Sequence, residues 1–96
     1  MAVGVEMTEL DRKCVQMHVD EVRDAMGAPN RGAGRRCRVR HDRNGRGLWM
    51  RVHDWIDPDD FCGRLSQSLG RKGWDLDVWL NDTKRYCRVD WKGRRT

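Results

Sequence analysis

Apolar residues recur at helical spacing near the N-terminus. Val15, Val19, Val22 and Met26 follow one another at intervals of four, three and four, flanked by Leu10, Cys14 and Ala25. That period predicts a helix with one apolar face. Thr8 stands at its start with Asp11 three residues on, the spacing of a capping box, and Gly27 and Pro29 end it. After a Gly- and Pro-containing loop the period changes to two. Cys37, Val39 and His41 fall on one face of a strand, and Arg36, Arg38 and Arg40 on the other. Asn44-Gly45 is a favoured hairpin-turn pair. The return strand sends Leu48, Met50 and Val52 inward and Trp49, Arg51 and His53 outward.

The second helix has the plainest start signal in the chain. Asp57 suits an N-cap, Pro58 the first helical position, and Asp59 and Asp60 the positive end of the helix dipole. Ile56 before the cap is placed to staple onto Phe61. Phe61, Cys62, Leu65 and Leu69 supply the buried face, and Gly70 or Gly73 stops the helix. A second hairpin follows. Trp74, Leu76, Val78 and Leu80 alternate with Asp75, Asp77 and Trp79; beyond NDTK, Cys87, Val89 and Trp91 alternate with Tyr86, Arg88, Asp90 and Lys92.

The expected fold is therefore α+β: an αββαββ two-layer sandwich, with a four-stranded antiparallel sheet and two helices on one face. Moving the last strand to the front gives βαββαβ, so the sheet is expected to be that of a permuted ferredoxin-like fold. The halves echo each other in RVHDW at 51–55 and RVDW at 88–91, which sets those two strands side by side at the centre. Residues 1–7 read as a flexible arm, 8–92 as one domain and 93–96 as a basic tail. The chain has 96 residues, room for one modest core.

Charge sharpens this picture. Residues 1–30 carry three bases and six acids, whereas 31–51 carry eight arginines and one acid. Residues 52–82 are again acidic and 83–96 basic, for a net +5. No stretch approaches the roughly 18 apolar residues of a membrane span. The N-terminus has no basic segment leading into an apolar one, so a cytoplasmic location is expected. The four cysteines form no C-x-x-C pair and are expected to be buried free thiols, with no metal and no cofactor.

Candidate chemistry follows from the outer face of the sheet. Arg36, Arg38, Arg40, Trp49, Arg51, Trp79, Tyr86, Arg88 and Lys92 all point to it, interleaving cations with rings. Arg31, Arg35, Arg43 and Arg46 stand in loops within reach of a phosphate backbone. Aromatic rings stack on unpaired bases while arginines hold phosphates, so the face suits RNA or another single strand, free or in a nucleoprotein complex. Asp75, Asp77 and Asp90 on the same face count against phosphate and favour cross-strand ion pairs. The alternative is a protein inhibitor or adaptor of a host nucleoprotein machine, of the phage-encoded, anti-CRISPR-like kind. Blocks of both signs suit an acidic or mixed protein partner. A homodimer through exposed tryptophans is the third expectation.

No phosphate-loop, nucleophile-elbow or H-E-x-x-H motif occurs, and no enzyme activity is expected. The hairpin with His41, Asp42 and Asn44 ahead of a helix resembles the ββα-metal nucleases. Residues 57–71, however, lack the metal-binding histidine that those enzymes carry on the helix. His18, on the apolar side of the first helix, reads as a hydrogen-bonded core residue.

Overall fold

A computed structural model describes residues 7–27, 37–42, 47–53 and 56–94. Helix α1 spans Glu9–Ala25 and helix α2 spans Pro58–Gly70; the strands are β1 (Arg40–His41), β2 (Gly47–Arg51), β3 (Trp74–Leu80) and β4 (Tyr86–Arg94). All neighbours pair antiparallel, in the order β1-β2-β4-β3. This is the order that permutation of a ferredoxin-like sheet requires, with the two echoing strands adjacent at the centre.

Each helix begins where its cap places it. Thr8 Oγ1 accepts from the Asp11 amide at 3.1 Å, and Asp11 Oδ2 accepts in return from the Thr8 amide at 2.9 Å. Asp57 Oδ1 accepts from the amides of Asp59 and Asp60 at 3.0 and 3.2 Å. Each pair satisfies donors that the first helical turn leaves without partners. Val15, Val19 and Val22 of α1 and Phe61, Leu65 and Leu69 of α2 meet Leu48, Met50, Cys87, Val89 and Trp91 from the inner face of the sheet. Ile56 and Phe61 are both buried in this core. Trp74 and Trp91 close one end of the core edge to face, their rings 5.2 Å apart at 69°. His18 Nδ1 and Ser68 Oγ share a 2.6 Å hydrogen bond that ties α1 to α2.

Several details differ from the pattern-based expectation. Leu10 is 75% exposed. It lies five residues from Val15, about 140° round the helix from the buried stripe. Met7, assigned to the arm, is buried in the core. Lys92 to Arg94 continue β4, so the strand runs into the predicted tail. A register shift at Asp75/Leu76 accompanies this extension, with Gly93 at φ 129°, a conformation that side chains other than glycine's rarely adopt.

Strand β1 is the largest departure, only two residues long; His41 lies opposite Leu48 on the helix side of the sheet but is exposed there. Extending its register from Arg40↔Trp49 by two residues sets Arg38 opposite Arg51. Like charges in that position oppose pairing. The chain at 37–39 is held from its other side instead. Gln16 of α1 donates from Nε2 to the Cys37 carbonyl at 3.1 Å and accepts at Oε1 from the Val39 amide at 2.7 Å. The Asp42 amide bonds across to the Gly47 carbonyl, so even-numbered backbone groups of this segment face β2 and odd-numbered ones face away. Gln16 therefore covers the outer edge of the strand.

Candidate nucleic-acid interface

The helices occupy one face of the sheet and leave the other to solvent. Register places Arg40, Trp49, Arg88 and Trp79 in one row across all four strands, alternating cation and indole. The rows beside it hold Gly47, Asp90 and Asp77 on one side, and Arg51 and Tyr86 on the other. Trp79 is 44% and Tyr86 40% exposed, while Trp49 is half-buried between neighbours. Trp49 meets Tyr86 edge to face at 5.7 Å, and the Arg40 guanidinium lies 5.7 Å from the Trp49 ring centroid.

Arg88 is the centre of this face. Its Nε donates to Asp90 Oδ1 at 2.9 Å, and its Nη2 donates to Asp42. The bond to Asp42, ahead of the one to Asp90, holds the guanidinium further above the ordinary arginine range. Trp79 Nε1 donates to the other Asp90 oxygen at 2.8 Å, so Asp90 fixes an indole and a cation together. Gly47 makes the Arg88–Asp42 pair possible. A Cβ there would lie 2.4 Å from Arg88 Nη2 and 2.5 Å from Asp42 Oδ2. A glycine inside a strand marks such a close approach.

Between the tryptophans lies a recess of about 290 Å³, lined by Asp42, Trp49, Trp79, Asn81, Tyr86 and Arg88. Lys92, at the far end of the face, is bound to Asp77 at 2.9 Å, and that contact raises its ammonium pKa. Arg38, Arg40 and Arg51 have no ion pair among the described residues and are exposed. Arg31, Arg35, Arg36, Arg43 and Arg46 lie outside the described residues. The structure thus brings together Arg40, Trp49, Arg51, Trp79, Tyr86 and Arg88. Asp42, Gly47 and Asn81 belong to the same constellation and were missed by alternation; only Gly47 at the head of a strand carried a signal.

Among the described residues no group of three or more His, Cys, Asp or Glu side chains is placed to hold a metal ion. Cys37 and Cys87 are buried and Cys14 and Cys62 half-buried, all as free thiols. Burial pushes the Cys87 thiol well above its ordinary range and raises Cys37 and Cys62 as well, which suits packing rather than nucleophilic chemistry. No described helix is long and apolar enough to cross a membrane. Comparison with protein-family models, with curated proteins and with solved structures finds no match.

Proposed function

We propose that this chain is a non-enzymatic binding protein that engages single-stranded nucleic acid, RNA foremost, through the outer face of its sheet. The observation that carries the reading is the sheet face opposite the helices. Exposed Trp79 and Tyr86 stand beside Trp49 there, next to arginines that no described carboxylate neutralises. Rings of this kind stack on unpaired bases at about 1–3 kcal/mol each, and the arginines supply salt-sensitive phosphate contacts. Fluorescence anisotropy with short single-stranded RNA, single-stranded DNA and duplex, over a salt series, tests it. Single strands should bind best, and Trp79→Ala or Tyr86→Ala should each weaken binding roughly fivefold or more. Duplex preference, or indifference to both substitutions, would refute the reading.

A second reading has its own support. Asp75 and Asp77 are exposed on the same face, so the surface carries both signs. Mixed charge suits a protein partner, as in an inhibitor or adaptor of a host nucleoprotein machine of the anti-CRISPR-like kind. Pull-down from a bacterial lysate with and without nuclease separates the two. Partners that persist after nuclease favour the protein reading; partners that vanish favour nucleic acid.

A further inference from the structure

The recess between the tryptophans is more particular than a stacking platform needs to be. Trp49 and Trp79 stand on the strands to either side of β4, about 10 Å apart at the backbone, and both line the recess of about 290 Å³, a volume that admits one planar base. Arg88 forms the floor, but its charge already faces two carboxylates, Asp42 and Asp90. This cluster therefore holds one carboxylate in excess and is a poor seat for a phosphate. Asn81 spends its amide internally, accepting from the Tyr86 amide at 3.0 Å and donating to Thr83 Oγ1 at 2.9 Å. Asp42 Oδ1, by contrast, has no hydrogen-bond partner among the described residues. A carboxylate acceptor at the border of an aromatic-lined recess, beside a cation whose charge is met, calls for a flat ligand rich in N–H donors.

We infer that the recess takes one unpaired guanine of a single-stranded RNA, stacked on Trp79 and Trp49 with its N1–H and N2–H donating to Asp42. The inference rests on the nucleic-acid reading above and names the base read at that site. Guanine alone among the four bases sets two N–H donors side by side on its pairing edge, matching the two oxygens of a carboxylate. Adenine and cytosine set one amino group beside an acceptor, and uracil sets one N–H between two carbonyls that a carboxylate repels. The neighbouring Arg88 guanidinium complements the guanine O6. The phosphates of such a strand run toward Arg38, Arg40 and Arg51, where no described carboxylate competes.

The test uses the intact chain and labelled oligouridines of about eight nucleotides, plain or with one central guanosine, adenosine or cytidine. The guanosine oligomer should bind roughly tenfold more tightly than plain oligouridine, and the other two less than about threefold. Asp42→Asn should abolish the guanosine preference, bringing the guanosine oligomer to within about twofold of oligouridine on the same variant. Asp77→Asn, which frees Lys92 on the same face away from the recess, should keep the preference and so controls for a general change of surface charge. Circular dichroism and a urea midpoint verify the fold of each variant. Equal affinity for all four oligomers overturns the guanine assignment alone. Failure to bind any of them overturns the nucleic-acid reading with it. Tryptophan quenching by a trimethyllysine peptide, without response to the oligomers, gives the recess to a protein partner and also overturns the inference.

Discussion

In the second hairpin the outer-face cations have carboxylates: Lys92 bonds Asp77, and Arg88 bonds Asp90 and Asp42. In the first, Arg38, Arg40 and Arg51 have none among the described residues, and Arg40 rests over Trp49 instead. The difference originates in the sequence. Asp75, Asp77 and Asp90 fall at outward positions of the second hairpin, whereas residues 31–51 contain a single acid, Asp42. The fold then commits that acid across the sheet to Arg88. The first hairpin thus gives its one carboxylate to the second, and uncompensated charge gathers along the β1–β2 side. Net charge alone would not have revealed this, because the same +5 could be spread evenly.

The contrast can be broken or sharpened by substitution. The largest effect should come from packing beneath the second hairpin. Phe61→Ala, at a fully buried site, should cost about 3–5 kcal/mol, against less than about 1 kcal/mol for half-buried Val39→Ala beside the first. Urea unfolding measures both, and equal losses would contradict the difference in burial between the two sites. Next comes charge. Arg40→Ala and Arg51→Ala should each lower the salt dependence of RNA binding by about one unit of log–log slope, while Lys92→Ala, its charge already answered by Asp77, should leave it unchanged. Gly47→Ala should erase the contrast by forcing Arg88 away from Asp42. Because that pair is partly exposed, the stability loss should stay near about 1 kcal/mol.

The smallest effect concerns the docking of the two halves through His18 and Ser68. Burial, ahead of the opposing effect of Glu21, lowers the His18 pKa below its ordinary value near 6.5. The unfolded chain therefore binds a proton that the folded chain resists, and stability falls as pH drops below that value. Denaturation at about pH 7.5 and about pH 5.5 should show this loss in the native chain and a reduced one in His18→Gln.

Much of the fold was legible because each element carries several agreeing local signals. Asp57-Pro58 with two following aspartates starts α2, and strict alternation separates Trp74 and Trp91 from Trp79 and Tyr86. The illegible parts are those set by distant residues. Gln16 reaches strand backbone 21 and 23 residues away, and Arg88 meets Asp42 across 46. No local period encodes either contact. His41 keeps the helix-side face that alternation gives it, opposite Leu48, but stays exposed at the end of a two-residue strand. Outward positions of the candidate site followed from pleating, but the recess needed three strands in register.

Gln16 also bears on how copies of this chain can meet. A sheet with two bare edges can template neighbours without limit, strand against strand. Here one edge is occupied at Cys37 and Val39 by a side-chain amide that mimics a neighbouring strand. The other edge strand, β3, carries no such side-chain cover among the described residues. A single glutamine on a helix thereby takes that stretch of edge out of reach of strand pairing.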